Sequence, residues 1–311
     1  MNDLVTLFGG GGFLGRYVAQ ALLKAGARVR IAERDPSGAY FLKPLGGLGR
    51  TQFMAADIAK PDSVRRAVAG AGAVVNLVGL LKGDFEKYHV EGARTVAEAA
   101  AAAGATAFVQ VSAIGADRQA PSAYARSKGE GEAAVKAAFP GATIVRPSIL
   151  FGPEDDFVNK FAKMIRSLPV VPVLAPETKF QPAWVANVAD AIAQAALAPG
   201  RFGGRTYELG GPDVVTMAAL NAEIADHIGA TPGFLPLSDM IGEAMASLTG
   251  WLPGAPITKD QWLMLSKDNV VSAGAEGFAA FGIDPAPLAA IAPRWLVQYR
   301  RAGRFSLVEK A

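Results

Sequence analysis

A doubly wound α/β fold on a parallel sheet is predicted for this 311-residue chain by two observations: an apolar strand, a glycine cluster and an amphipathic helix follow one another at its start, and strand-like and helical runs then alternate as far as Arg146. The strand Leu4-Val5-Thr6-Leu7-Phe8 enters Gly9-Gly10-Gly11-Gly12, and a helix follows from Phe13 towards Ala25. Gly9, Gly12 and Gly15 keep a three-residue spacing. Such a spacing lets the backbone turn sharply, lets phosphate oxygens approach the amides, and packs the helix closely on the strand. The helix beginning near Gly12 aims its free N–H groups and positive dipole end at that phosphate. A glycine motif alone is weak evidence; the strand before it and the helix after it make this one a Rossmann-type dinucleotide site.

Strands are read at Leu4–Phe8, Arg28–Glu33, Gln52–Ala56, Ala73–Val78, Ala107–Ser112 and Thr143–Arg146, and helices near Phe13–Ala25, Asp62–Ala69, Phe85–Ala103 and Ser122–Ala138. This is the βαβ rhythm of a parallel sheet covered on both faces, and right-handed crossovers place the ligand crevice at the carboxyl ends of its central strands. Residues 1–150 are therefore expected to form the dinucleotide-binding domain. After Arg146-Pro147 the alternation fails, and prolines at 153, 169, 172, 176 and 182 punctuate short apolar pieces. A helix at 185–197 and a strand at 206–209 are expected to return to the sheet, so that 185–210 rejoins the first domain. Residues 151–184 and 211–311 are left as a smaller, discontinuous C-terminal α/β domain for substrate or partner docking. Within it, 234–256 is rich in Met, Leu and Trp and bounded by prolines. Three readings of that segment stand open: a cover over the cleft, internal helix packing, or an amphipathic element anchored on a partner or bilayer surface through Trp251.

Hydrophobic residues make up 51% of the chain and charged residues 19%, without low complexity, which excludes a disordered tail or linker protein. Cysteine is absent, which excludes disulfides, thiol nucleophiles and thiolate-held iron–sulfur clusters. The two histidines, His89 and His227, lie far apart without metal-ligating neighbours, so no metal site is expected. A net charge of +3 without a nucleic-acid motif gives no reason to expect nucleic-acid binding. The first strand follows Met1 closely, leaving no room for a leader, and no uncharged apolar stretch reaches the roughly 18 residues of a membrane span. A soluble or peripheral protein is expected.

The residues that could do chemistry are Ser112, Tyr124 and Lys128. Ser112 ends a strand at the crevice side of the sheet, and Tyr124 and Lys128, four residues apart, share one face of the following helix. A lysine ammonium beside a phenol favours phenolate, lowering its pKa from ~10 towards the working range of a general acid or base. Ser112 could hydrogen-bond a substrate carbonyl or alkoxide. Together they fit hydride transfer to or from a nicotinamide, and Lys128 can also hold the nicotinamide ribose.

With these residues in place, the chain resembles the short-chain dehydrogenase/reductase superfamily in its extended or atypical branch. Asp57-Ile58 looks like its adenine-contacting acidic position, Asn76-Leu77-Val78-Gly79 like its turn after the fourth strand, and Arg146-Pro147-Ser148 like its Arg-Pro. Within the superfamily, Leu42-Lys43-Pro44-Leu45-Gly46, Gln181-Pro182-Ala183-Trp184-Val185, Gln261-Trp262, Asp268-Asn269-Val270-Val271 and Trp295-Leu296-Val297-Gln298-Tyr299-Arg300 are similar to the dehydrogenase-like accessory subunits of respiratory complex I, NADH:ubiquinone oxidoreductase, in the bacterial form.

That resemblance implies a bound NADPH with a structural role, complex I core subunits as partners, and a cytoplasmic, peripheral place on the inner face of the cytoplasmic membrane. It implies cofactor contacts from Gly9, Gly12, Phe13, Leu14, Gly15, Arg16, Glu33, Arg34, Lys43, Asp57, Ile58, Leu77, Val78, Gly79, Tyr124, Lys128 and Pro147. Arg34 and Arg16, with Lys43 less directly, would face a 2′-phosphate. Glu33 departs from this pattern, since an acid at that strand end normally takes the ribose hydroxyls of NAD and repels a phosphate. NADP(H) is favoured on Arg34, whose fork suits a phosphate, with NAD(H) as the alternative.

Two functions remain open on the sequence. One is an accessory subunit docked through 234–256 and the basic residues Arg294, Arg300, Arg301 and Arg304. The other is a free reductase, dehydrogenase or epimerase using Ser112, Tyr124 and Lys128.

Overall fold

Seven strands pair side by side, all parallel: Leu4–Phe8 (β1), Arg28–Glu33 (β2), Thr51–Ala55 (β3), Ala73–Asn76 (β4), Ala107–Val111 (β5), Thr143–Pro147 (β6) and Thr206–Leu209. Their spatial order is Thr206–Leu209, β6, β5, β4, β1, β2, β3. The structure, a computed structural model, describes residues 3–249, 257–301 and 303–305. The chain connections change direction between β1 and β4, where Phe8 lies opposite Ala32 on one side and Asn76 on the other. A crevice opens at such a switch point because the loops leave in opposite directions.

Helices cover the sheet: Phe13–Lys24 (α1), Pro61–Val68 (α2), Gly92–Ala102 (α3) and Ala123–Ala138 (α4). α1 packs beside the helix Val185–Leu197, and α2, α3 and α4 pack in series. The alanine run does form helix, as its propensity favours. Ala93, Ala97 and Ala100 are buried in one cluster with Val64, Val96, Phe108 and Val135. Small side chains there let α3 approach its neighbours and the sheet.

The fold class agrees with the reading of the sequence, and the differences are local. β4 stops at Asn76, two residues short of the expected end, because the Asn76 carboxamide turns the chain. Its Oδ1 accepts from Val78 N at 3.2 Å and its Nδ2 donates to Gln110 Oε1 at 2.9 Å. The helix expected from Phe85 opens with a π turn, Glu86–Glu91, before α3. Pro36–Leu45, where no element was read, is a 3₁₀ segment capped by Asp35, whose Oδ1 accepts from Ser37 N at 3.0 Å.

Contacts divide the chain into two compact units: Met1–Pro147 with Val185–Leu209 and Ser272–Asp284, and Ser148–Trp184 with Gly210–Val271 and Pro285–Ala311. The second unit packs the helices Phe157–Ser167 and Met217–Ile228 around Phe151, Leu220, Ile224, Trp295 and Leu296. Its strands are short pairs: Leu150–Phe151 with Ala183–Trp184, Lys179–Phe180 with Val215–Thr216, and Val170–Leu174 with Gly233–Leu237. The helix Asp239–Thr249 exposes Met240, Ile241 and Leu248. Trp251, with the rest of 250–256, and the side chain of Arg304 lie outside the described residues. No described helix is long and apolar enough to cross a membrane.

Candidate nucleotide-binding site

At the carboxyl ends of β1, β2 and β4 lies a cleft of about 220 Å³. It is lined by Phe8, Gly9, Gly12, Ala32, Glu33, Arg34, Ala56, Asp57, Ile58, Leu77, Val78, Gly79, Leu80 and Tyr88. The structure thus brings together nine residues singled out from the sequence: Gly9, Gly12, Glu33, Arg34, Asp57, Ile58, Leu77, Val78 and Gly79. Phe13, Leu14, Gly15, Arg16, Lys43, Ser112, Tyr124, Lys128 and Pro147 are not in that lining. Ala32, Ala56, Phe8, Leu80 and Tyr88 were missed. The first two are small residues at or just past strand ends, a position that itself signals the crevice.

Two glycines shape the cradle. Gly9 has φ +84°, a conformation costly for any other residue, and a Cβ there would meet the Leu77 and Val78 backbone at 3.4 Å. At Gly15 a Cβ would run into the Gly9 carbonyl, so only glycine lets α1 rise this close to the loop. Gly12 begins α1 with extended backbone and no side-chain cap. An uncapped helix start is a ready anion site, and Gly9, Gly12 and the first turn of α1 are the residues that could hold a pyrophosphate there.

Glu33 is turned onto the loop itself. Its Oε1 accepts from Gly11 N at 2.6 Å, and burial raises its pKa above the usual carboxylate range against the opposing pull of that hydrogen bond and of Arg34. Arg34 stands beside it in the lining. The Arg16 guanidinium sits over the Phe41 ring at 4.8 Å and the Lys43 ammonium over the Tyr40 ring at 3.7 Å. Asp57 closes the next turn, accepting from Ala59 N at 3.0 Å.

Ser112, Tyr124 and Lys128 form a neighbouring group. Ser112 follows β5, held by its N–H on Val145 O at 2.7 Å, and its buried Oγ has no hydrogen-bond partner among the described residues. The Ser122 hydroxyl caps α4 on Ala125 N, setting Tyr124 and Lys128 on consecutive turns. Lys128 Nζ lies 5.8 Å from the Tyr124 ring centre and 3.5 Å from Val111 O, and a Cβ on Gly79 would come within 3.0 Å of it. The lysine therefore reaches the loop that lines the cleft. Charge alone predicts a lowered Tyr124; in the structure burial pushes the phenol up to about 12 instead. Burial also lowers Lys128 to about 8, with Glu132 pulling the other way. Tyr124 is thus a phenol that keeps its proton, suited to donate one rather than to act as a ready base.

His89 ties the two groups. Its Nε2 accepts from Leu80 N at 2.8 Å, so Nδ1 carries the proton and donates to Ser127 Oγ at 2.8 Å, which in turn donates to Tyr124 O at 2.8 Å. The ring stacks on Phe85 and meets Tyr124 edge to face. Burial, with a smaller push from Lys128, lowers its pKa to about 3, keeping it neutral. Arg146, before Pro147, is gripped by both oxygens of Glu132 at 2.7 and 2.8 Å and by Glu208 at 3.2 Å. His227 lies in the second unit near Glu223 at 3.6 Å, and its carbonyl accepts from Arg300 Nε at 3.0 Å. Among the described residues no group of three or more acidic or histidine side chains could hold a metal.

Residues 9–165 match a family model described as NAD(P)H-binding. The chain is 35% identical to NADH dehydrogenase [ubiquinone] 1 alpha subcomplex subunit 9, mitochondrial, of Arabidopsis thaliana, over 96% of this chain and 79% of that one. It is 36% identical to a ceramide reductase of Caulobacter vibrioides, over 57% of this chain and 56% of that one. Among solved structures, the NADPH-dependent quinone oxidoreductase QOR2 of Escherichia coli, complexed with NADPH, has the same fold, with a TM-score of 0.75 and 23% identity over 92% of this chain and 97% of that one. The chain belongs to the NAD(P)H-binding family and, within it, to the family of the alpha subcomplex subunit 9 of NADH dehydrogenase [ubiquinone].

Proposed function

We propose that this protein is an accessory subunit of respiratory complex I that holds NADP(H) as a structural cofactor. The observation that carries the reading is likeness along 96% of the chain to a complex I subunit, which extends well beyond the nucleotide cleft that reductases share. Gly9, Gly12 and the start of α1 would hold the pyrophosphate, Asp57 and Ile58 the adenine, and Lys128 the nicotinamide ribose. Arg34 would take the 2′-phosphate. Glu33 hinders this less than its charge suggests, because one carboxylate oxygen already serves Gly11 N. Docking on complex I core subunits is assigned to the second unit. There the exposed Met240, Ile241 and Leu248, flanked by Asp239 and Glu243, suit an apolar protein face with basic neighbours. A peripheral place on the inner face of the cytoplasmic membrane follows from that assembly, with Arg294 and Arg301 exposed for contact.

The test is mass spectrometry of the nucleotide released from gently purified protein, together with purification of the tagged chain from native membranes. NADPH that stays reduced and co-purifying complex I subunits are expected; NAD(H) that turns over, with no complex I subunits, overturns the reading.

The unpartnered Ser112 Oγ favours a second reading, a reductase acting on a small carbonyl compound. The bound nicotinamide would supply hydride, Ser112 would donate to the carbonyl oxygen, and Tyr124 would deliver the proton. Unaltered turnover in Tyr124→Phe would remove that role.

A further inference from the structure

We infer that the face carried by Tyr40–Arg50 is a lipid contact, built to meet the anionic headgroups of a bilayer. Ala39 and Leu42, both fully buried, anchor this face on the first unit. Between and beyond them Tyr40, Phe41 and Leu45 are each nearly half exposed, and Leu48, at the tip of the glycine-flanked turn Gly46-Gly47-Leu48-Gly49, is 107% exposed. Four large apolar side chains exposed within nine residues are not the scattered singletons of an ordinary surface.

The charges match. From Arg34 to Ala56 the only carboxylate is Asp35, spent on capping the 3₁₀ segment; Arg34 lines the nucleotide cleft and Arg50 meets Asp3 at 3.6 Å, which leaves Lys43 as the cation of this face. No ion pair to Lys43 occurs among the described residues; its ammonium rests on the Tyr40 ring instead, which places the cation at the surface without neutralising it. A basic group beside an apolar tip is the arrangement in which phosphate takes the cation while the leucine enters the acyl boundary. The exposed apolar helix Asp239–Thr249 makes the contrast: it carries Asp239 and Glu243, and no Lys or Arg occurs from 230 to 249, so an anionic surface repels it. This inference needs neither complex I nor a particular nucleotide.

Sedimentation of the full chain with vesicles of phosphatidylcholine containing a third phosphatidylglycerol tests it, with pure phosphatidylcholine for comparison. Binding to the anionic vesicles is expected to exceed binding to the neutral ones by about tenfold and to fall with added salt, as headgroup attraction does. Leu48→Asp is expected to release the protein while bound nucleotide and thermal midpoint stay unchanged, and Met240→Asp to leave vesicle binding intact. Failure of the unaltered chain to bind anionic vesicles overturns the inference. Release by Met240→Asp and not by Leu48→Asp overturns it too, and so does capture of an acidic protein, rather than lipid, by a photo-crosslinker at position 48.

Discussion

The two units hold themselves together by different means. In the first, a seven-strand ladder and apolar helix faces share the load, so that many equivalent contacts back one another. The second also has an apolar helix core, but its strand pairs are short, two of them only two residues long, and single side chains tie them. Asn269 accepts on Oδ1 from Ser148 Oγ at 2.7 Å and Ile149 N at 3.1 Å, while its backbone bonds Lys179 and Gln181. Gln181 bridges Gly211 O and Val271 N at 2.7 and 2.9 Å. Asp155 collects Gly152 N, Val158 N and Asn159 N. Redundant packing tolerates substitution, whereas a lone carboxamide serving buried backbone groups has no substitute. The first unit is therefore weakest where its cleft forbids a side chain, and the second where one of these tying side chains is lost.

The largest effect should come from the first kind of weak point. Gly15→Ala drives a Cβ into the Gly9 carbonyl. A cost of roughly 3 kcal/mol is expected from the forced backbone shift, with loss of bound nucleotide by at least about a hundredfold. Thermal unfolding and nucleotide titration measure the two. A variant that keeps its nucleotide would show that α1 does not close on the loop as described.

Asn269→Ala probes the second unit. Removing Oδ1 leaves the Ile149 amide short of a partner, while the Ser148 hydroxyl keeps the Asn269 carbonyl at 3.1 Å, so a cost of roughly 2 kcal/mol is expected and the nucleotide stays bound. Hydrogen exchange at Ile149 and Ala183, which share a backbone bond, should quicken far more than exchange along β1. Equal quickening in both units would erase the contrast.

What could be read from the sequence follows the same division. The glycine spacing, strand alternation and helix faces of the first unit are periodic signals written by local physics, and they gave its strands and helices nearly residue by residue. Asn269 and Gln181 carry no such signal: their partners lie up to 121 residues away, and a carboxamide in a loop looks like any other. The same holds for Ser272–Asp284, which joins the first unit through Glu208, accepting from Ser272 N and donating its own N–H to Glu276 O. In the site, residue types and spacing could identify Tyr124 and Lys128 but not the burial that reverses the expected shift of the phenol. Nothing in the sequence sets His89 apart from His227, because its chain to Leu80, Ser127 and Tyr124 depends on a π turn that helical periodicity hides.

Acid should sharpen the comparison from the site's side. His89 falls from an ordinary 6.5 to about 3 on folding, so the folded state prefers it neutral. The stability this contributes is present above pH 6.5 and is lost as pH falls from about 6.5 towards about 3, by ~1.4 kcal/mol per unit at most. His89→Gln should flatten that part of the stability–pH curve while lowering stability at pH 7, because two hydrogen bonds to the ring are lost. An unchanged acid limb in the variant would assign the pH dependence elsewhere.

Lys128 shows how the site costs the first unit stability. Burial takes it from 10.5 to about 8, so at neutral pH the protein holds a charged lysine at a penalty of about 3 kcal/mol. Lys128→Met should raise the unfolding free energy by roughly 1–2 kcal/mol, less than the full penalty because Glu132 loses a favourable neighbour. The gain should shrink as pH rises from about 8 to 10.5, where the lysine loses its proton. The same variant should bind nucleotide at least about tenfold more weakly, since no cation then reaches the Gly79 loop. Stabilisation together with weakened binding would mark Lys128 as kept for the nucleotide. Destabilisation would make it a packing residue of the first unit, and the unit's redundancy would then extend into its cleft.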